Sequence, residues 1–415
     1  MADLAAEVVV VGAGMAGATA ALALASGGLE VALLEGAPFE VLTAPTFDGR
    51  ASAISAAAFR QWRVLGVADK LATEAQPIRQ ILVTDGRGAG PASGAPASAF
   101  LRFHADEESV EPGEPLGFMV ENRHIRAALA QTVLGSRISV IAPARAAHVE
   151  TAAGPIAITL EDGRRIETQL LVAADGRTSR IRGQLGIGVY GWSYSQTSLV
   201  ATLAVERDHG GVAYEHFLPS GPFAILPLTN RRVSLVWTER ARLAKAAAQA
   251  ADELFEALVR RRFGPFLGRL TLAGPRFAYP LSLQLAESLV GPRTALVGDA
   301  GHAIHPIAGQ GLNMGLKDAA ALAEVVIEAA RLGEDIGSDA VLARYARWRR
   351  LDNLAVAAST DLFNRLYSTD RRPARLARTA AMAAVNATGP VRRLFQREAA
   401  GASGDLPRLL KGEAV

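Results

Sequence analysis

The chain contains no cysteine. Disulfides, a thiolate nucleophile and any cysteine-ligated metal site are thereby excluded, and a reducing, cytoplasmic setting is compatible with the composition. Its seven histidines show no HExxH or comparable spacing, so no metal site is predicted. Charge is missing altogether from Val8 to Leu29. A run of that length suggests a membrane span, yet glycines interrupt it where a phosphate-binding turn needs them, and β-branched residues fill only its first part. Asp3 and Glu7 precede it, so the basic segment of a secretory signal is lacking as well. The run reads as a strand and a helix buried in a parallel sheet. There is no internal repeat and no aromatic-basic module, so nucleic acid is not expected as a partner.

What is present describes an ordinary globular protein. The 415 residues are 50% hydrophobic and 20% charged, with room for two or three domains. The net charge of +3 is unevenly spread. Residues 340–415 carry 14 Lys/Arg against 6 Asp/Glu, a net of +8, which leaves the first 339 residues at −5. A basic, helix-patterned end suits a solvated face, an acidic partner, or an anionic surface such as lipid.

The informative block is the run from Glu7 to Gly17, a valine strand leading through Gly12, Gly14, Met15 and Gly17 into an Ala/Leu-rich helix. Gly12 permits the tight turn, Gly14 lets the backbone approach a pyrophosphate, and Gly17 lets helix and strand pack closely. The helix start offers unpaired N–H groups and a partial positive charge to phosphates. Glu35 ends the next strand, where a carboxylate can bond ribose hydroxyls. Strand, turn, helix, strand and acid together predict an ADP-containing cofactor.

Two further blocks have the same character. Residues 295–313 read as an apolar strand ending at Gly298-Asp299, then a loop through Pro306, then a helix from near Gly311 to about Arg331, with Gly309, Gln310, Gly311, Leu312 and Asn313 at its start. Asp299 can accept from polyol hydroxyls. The glycines let a flat group reach the backbone, and the helix dipole favours negative charge there. A reduced flavin carries such charge, so the block suits an isoalloxazine better than a nicotinamide. Residues 170–182 form a strand, an Asp175-Gly176 turn and a basic helix start; alone, these could be only a turn and a cap.

Elsewhere the patterns are coarser. Residues 48–55 precede a helix through Phe59, Trp62 and Leu65, and Ile125, Leu129, Val133 and Leu134 are spaced for one helix face. Glu161-Asp162-Gly163 joins Ile156–Leu160 and Arg165–Val172 as a hairpin. Runs at 81–84, 198–205, 212–218 and 233–238 read as strands of an inserted sheet, with Phe217, Phe223 and Trp237 expected towards a common cavity or in plain core. A Gly/Ala/Pro/Ser-rich stretch from Gly86 to Ser98 reads as an exposed loop.

Taken together, Gly12–Gly17, Asp175-Gly176 and Gly298-Asp299 resemble the three motifs of the class A flavoprotein aromatic monooxygenases, the p-hydroxybenzoate hydroxylase-like family. The runs Asp48–Ser55, Glu121-Asn122-Arg123, Gly210–Glu215 and His305–Asn313 resemble the ubiquinone-biosynthesis hydroxylases within it, over roughly residues 5–370. The resemblance implies an α/β fold: a Rossmann-like, GR2-type FAD-binding domain (residues 1–77, 110–182 and 277–333), an inserted, mainly antiparallel substrate domain (78–109 and 183–276) and a C-terminal helical region (334–415). It implies FAD in an extended pose, with adenine near Gly12–Gly17 and Glu35. The ribityl chain would lie near Asp299 and the flavin ring over Gly309–Asn313. Arg50 and either Asn122 or Arg123 would touch the pyrophosphate or ribityl region, and Asp175 would serve both FAD and a transient NADH or NADPH. Ala173-Ala174 stands where many members have Gly-Ala, and Gly301 replaces a common Ala; neither removes a functional group.

The implied reaction is hydroxylation of an electron-rich ring through a flavin C4a-hydroperoxide, with O₂ and NAD(P)H consumed. The implied substrate is a polyprenylated phenol or quinol. A membrane surface at the inner face, or other ubiquinone-biosynthesis proteins, would be the partner of an Arg-rich region around Arg371, Arg372, Arg375, Arg378, Arg392 and Arg393. No catalytic residue is assigned. His302 and His305 stand beside the expected flavin but suit loop-fixing bonds better, and His216 is a weaker candidate base. A hydroxylase of small soluble aromatics, a flavin reductase of isoprenoid double bonds and a silent FAD-carrying scaffold remain as alternatives.

Overall fold

The computed structural model of the protein describes residues 4–43, 47–84, 101–105, 113–151, 154–305, 309–367, 388, 397–398 and 400–415. The loop expected at Gly86–Ser98 and the Arg-rich region at 371–393 lie outside the described residues.

The chain begins with β1 (Leu4–Val11), α1 (Met15–Ser26) and β2 (Val31–Leu34), then β3 (Ala51–Ser55) and α2 (Ala56–Val64). After β4 (Gln76–Ile78), β5 (Gln80–Thr84), β6 (Leu101–His104) and β7 (Gly117–Glu121) come α3 (Asn122–Leu134), β8 (Ser139–Ile141), β9 (Ala146–Glu150), β10 (Ile156–Leu160), β11 (Arg165–Ala173) and α4 (Arg180–Gln184). A meander follows: β12 (Val189–Val205), β13 (Val212–Leu218), β14 (Gly221–Leu228) and β15 (Arg232–Arg240). Next are α5 (Ala241–Ala248), α6 (Asp252–Phe263), β16 (Leu270–Leu272), β17 (Phe277–Ala286), β18 (Val290–Gly291), β19 (Thr294–Leu296) and β20 (His302–Ala303). Two long helices, α7 (Gln310–Arg331) and α8 (Asp339–Tyr367), complete the main body.

The first sheet runs β18-β19-β11-β1-β2-β8, and its central strands β19, β11, β1, β2 and β8 are parallel. Strand alternation explains why β1 is wholly apolar. Val8 and Val10 enter the core beneath α1, α3 and α7, while Val9 and Val11 enter a second core on the other face. The hairpin β10–β11 forms as its turn predicts. On α3, Ile125, Leu129 and Val133 are buried, but Leu134 is 60% exposed: it lies one helical step round from Val133, off the apolar stripe.

The second sheet runs β20-β17-β12-β15-β14-β13-β5-β6 and is antiparallel except for β13 against β5. Its two faces differ. One carries Leu199, Tyr214, Phe223, Leu235 and Trp237 and is closed by α5 and α6. The other carries Val83, Leu101, Ala213 and Phe217 and packs on Met119 of β7, with Ala51 and Ala53 of β3 against it. Phe217 therefore faces away from Phe223 and Trp237, because position 217 is opposite in parity to the register pair Phe223↔Trp237. Strand β17 hydrogen-bonds along β12, so this sheet continues past residue 276, where the sequence placed its end. A small sheet, β3-β7-β4, lies between the two large ones. Glu121 at the end of β7 pairs with Arg232 at the start of β15 at 3.0 Å, tying the layers together.

Candidate active site

Strands β1, β11 and β19 are parallel neighbours, so their carboxyl ends align. Gly12, Asp175 and Gly298-Asp299 leave the sheet side by side, where ligands of such sheets sit. Gly12 has φ +102°, and a Cβ there would come within 2.5 Å of the Ala174 carbonyl oxygen. A Cβ on Gly17 would lie 2.0 Å from the Gly12 oxygen and 2.9 Å from Ala174 Cβ. By contrast, nothing lies within 4 Å of a Cβ on Gly14. The turn is thus closed on the strand side and open on the outer side, above the uncapped start of α1 where Met15 is half-buried. Glu35 accepts from the Ala13 and Ala37 N–H groups, both at 2.9 Å. Its carboxylate is held beside the turn with lone pairs remaining for hydroxyls.

The second turn meets the first directly. Gly298 has φ +63°; a Cβ there would approach Ala16 Cβ at 3.0 Å, and Gly315 of α7 packs on the same spot. Asp299 is exposed at the strand end. Helix α7 starts at Gly309 in the left-handed region (φ 64°), with no side-chain cap and no acid in its first turn, leaving its N–H groups for a ligand. Gln310, Gly311 and Leu312 form its half-buried first turn. Asn313 turns inward, accepting from Ser55 N–H at 3.0 Å and donating to the Ala53 carbonyl at 2.8 Å. Pro306 lies outside the described residues.

Strand β3 joins the remaining candidates to this centre. Asn122 donates its backbone N–H to the Arg50 carbonyl at 2.9 Å, and Ser52 Oγ donates to Asn122 Oδ1 at 2.7 Å. Arg50 is exposed, paired with Asp48 at 3.0 Å and lying 5.5 Å over the Tyr279 ring. Arg123 pairs with Glu121 at 2.8 Å. Burial would raise the carboxyls of Asp48 and Glu121, but Arg126 and Arg50 beside the first, and Arg123 and Arg232 beside the second, hold both below the usual range. Asp175 Oδ2 caps α4, accepting from Arg180 N–H at 2.8 Å, while its buried Oδ1 has no partner among the described residues. The turn-and-cap reading of this segment and its place beside Gly12 hold together.

Beneath Gly298 lies a buried charge cluster that sequence reasoning missed. Asp318 of α7 is fully buried. Its Oδ2 accepts from Gly298 N–H at 3.2 Å and contacts His302 Nε2, and its Oδ1 accepts from Arg349 Nε at 2.8 Å and Asn353 Nδ2 at 3.3 Å. Burial would raise the Asp318 carboxyl, but His302 and Arg349 hold it well below the usual range. The signal was an acid on the apolar stripe of α7.

The candidate histidines separate clearly. His302 fixes the loop through Asp318. His305 is sealed, with neither ring nitrogen partnered among the described residues, and its ring lies 5.2 Å from that of Tyr194. Burial pushes its pKa down to about 4, against a smaller opposing pull from Asp361. His216 contacts Thr84 on the sheet face closed by α6. Among the described residues there is no group of three or more His, Asp or Glu able to hold a metal, and no helix long and apolar enough to cross a membrane.

The glycine turn open on one side, the acid beside it, the uncapped helix start and the Asp175 oxygen unpartnered among the described residues all fit an extended dinucleotide, and the two-sheet architecture is that of flavoprotein hydroxylases. The chain belongs to the family described as FAD binding domain, whose model matches residues 5–358. It is 45% identical to ubiquinone hydroxylase UbiL of Rhodospirillum rubrum, over 99% of this chain and 94% of that one. It is 33% identical to the 3-demethoxyubiquinol 3-hydroxylase of Escherichia coli, over 95% and 98%. The p-nitrophenol 4-monooxygenase PnpA of Pseudomonas putida has the same fold, with TM-score 0.80 at 18% identity, over 97% of this chain and all of that one. The chain is an FAD-dependent aromatic monooxygenase.

Proposed function

We propose that this enzyme hydroxylates the ring of a polyprenylated phenol or quinol intermediate of ubiquinone biosynthesis. The observation carrying this is the full-length similarity to proteins named for that chemistry, on a chain whose three turns converge at one sheet edge. Bound FAD supplies the activated oxygen. The protein's own tasks are to hold FAD, exclude water and place the ring. The open side of Gly14 and the α1 start take the pyrophosphate, Glu35 the adenosine ribose, Asp299 the ribityl hydroxyls and the Gly309–Asn313 helix start the flavin ring. Arg50 and either Asn122 or Arg123 border the pyrophosphate or the ribityl chain, and Asp175 serves FAD and the passing nicotinamide nucleotide.

The division into a cofactor unit and a substrate unit follows the two sheets, with the second crossing placed after residue 286, where β17 ends, and β20 returning to pair with β17. The substrate sits against the Glu215-bearing face of the large sheet, beside its contact with β3 and β7. Its prenyl tail has too much apolar surface to travel through water. The enzyme meets it at a membrane surface, on the cytoplasmic side; exposed Tyr190, Trp192, Leu351 and Leu354 support such a contact.

The test is purified holoenzyme with NAD(P)H, ¹⁸O₂ and a short-chain prenylated phenol. One ¹⁸O atom in the ring product is expected. Turnover of small soluble phenols alone would redirect the substrate class, and product formation without oxygen would replace hydroxylase by reductase.

A further inference from the structure

We propose that Glu215 is the general base of this hydroxylation, taking the proton from the ring hydroxyl of the bound substrate. The assignment rests on the hydroxylase reading above. On β13, Ala213, Glu215 and Phe217 alternate with Tyr214 and His216. The cross-strand partners of Glu215, Val83 on β5 and Ala224 on β14, share its face. That face packs against β7 and β3, and Ala53 of β3 is in turn the residue nearest Gly309 and bonded by Asn313. Glu215 thus stands on the wall that the substrate sheet turns towards the flavin end of the cofactor site.

Its surroundings are those of a reacting group. Residue 215 is intermediate in exposure, while its carboxyl lies deep in the protein. Unlike Asp48, Glu121 and Asp318, it has no hydrogen bond or ion pair among the described residues. Desolvation alone pushes its carboxyl up to about 7. A base poised there is half-ionised at neutrality, where general-base catalysis is most effective. On the elements packed against this face, Glu121 is committed to Arg123 and Arg232, Asp361 of α8 accepts from Tyr194 at 2.8 Å, and Tyr279 at the far edge donates to the Asp48 carbonyl. Arg102 and His104 of β6 register with Leu82 and Gln80, on the opposite face. The alternatives fail on access: His305 is 0% and His302 2% exposed, and His216 points to the α6 side.

The step is simple to balance. The substrate O–H bond breaks, its electron pair stays on oxygen and delocalises to the ring carbon that takes up the oxygen atom, and the proton moves to a Glu215 carboxylate oxygen. The hydrogen on that ring carbon leaves as a proton when aromaticity returns. Glu215 then releases its own proton to water as product leaves. Oxygen comes from O₂, whose O–O bond breaks as the ring C–O bond forms; one atom enters the ring and the other leaves as water, with two electrons from NAD(P)H and one proton from solvent completing the balance.

The experiment compares FAD-loaded wild type, Glu215→Gln and Glu215→Asp with a short-chain prenylated phenol from pH 5 to 9. Wild-type product turnover is expected to rise about tenfold per pH unit below about pH 7 and level off above it. Glu215→Gln is expected to lose about 10²–10⁴-fold in product, to lose that limb, and to keep oxidising NAD(P)H with release of hydrogen peroxide. Glu215→Asp keeps the limb at a lower plateau. Glu215→Gln within threefold of wild type, with the limb intact, overturns the assignment. Should Glu215→Gln fail to hold FAD, the aspartate variant decides, since loss of the limb in it also overturns the assignment. Absence of ¹⁸O product from wild type removes the hydroxylase reading itself, a result separate from equal turnover by both proteins.

Discussion

Replacing Asp318 by Asn tests whether the buried cluster is what holds the second turn in place. All four lone-pair directions of this carboxylate face donors: Gly298 N–H, His302, Arg349 and Asn353. An amide keeps one acceptor oxygen and turns an NH₂ towards donors on the other side. It also leaves the Arg349 charge, 1% exposed, without its principal partner. Removing one member of a buried ion pair costs about 3–5 kcal/mol. Unfolding 415 residues at about 2.1 cal/mol/K per residue carries an entropy near 0.9 kcal/mol/K, so the melting temperature should fall by about 3–6 °C. Circular dichroism gives that number, and FAD fluorescence should show the cofactor leaving before the fold, because Gly298 N–H loses its anchor. The double variant D318L/R349M, with no buried charge to strand, should recover at least half of the loss. A D318N protein melting within 1 °C of wild type, with unchanged FAD affinity, would refute the argument.

Other outcomes follow from the same geometry. Gly14→Ala should leave the melting temperature of FAD-free protein unchanged while weakening FAD binding at least tenfold by titration, because its Cβ enters only the open side of the turn. Gly17→Ala should lower both, with about 1–3 kcal/mol of destabilisation from overpacking against the Gly12 carbonyl. Gly309→Ala forces a side chain into the left-handed region and should cost about 1–2 kcal/mol in urea unfolding, with loss of FAD. Glu215, raised from 4.5 to about 7 in the fold, opposes stability above the unfolded value: its cost is absent below pH 4.5, grows as pH rises and levels off above about 7. Glu215→Gln should therefore match wild type at pH 4.5 and exceed it by up to about 3 kcal/mol at pH 8 in denaturant melts.

Local rules made the edge where the three turns meet legible. Glycine spacing, an acid at a strand end and an apolar helix start can each be read within one short segment, and β1, β11 and β19 deliver them to neighbouring positions. The substrate sheet was harder. Strand β14 went unread because Pro222 and Pro227 argue against a central strand, yet its neighbours satisfy the ladder around them. The opposed faces of Phe217 and Phe223 required the register of β13 on β14, which no single strand contains. The same register was needed to see which way Glu215 faces. Asp318 and Arg349 lie 31 residues apart on separate helices, and only tertiary packing makes either of them tolerable inside the core.

Helices α1 and α7 meet with almost no side chain between them, where Ala16, Gly298 and Gly315 touch. One helix starts at the turn read as the pyrophosphate site, the other at the turn read as the flavin site. The gap between those two starts is therefore gauged by glycine main chain and the single Cβ of Ala16, which side-chain repacking cannot lengthen. Substrate walls can drift through substitution on the large sheet while this spacer stays constant. A single methyl group added at position 315, 3.1 Å from the Gly298 Cα, would be felt at both ends of the bound molecule at once.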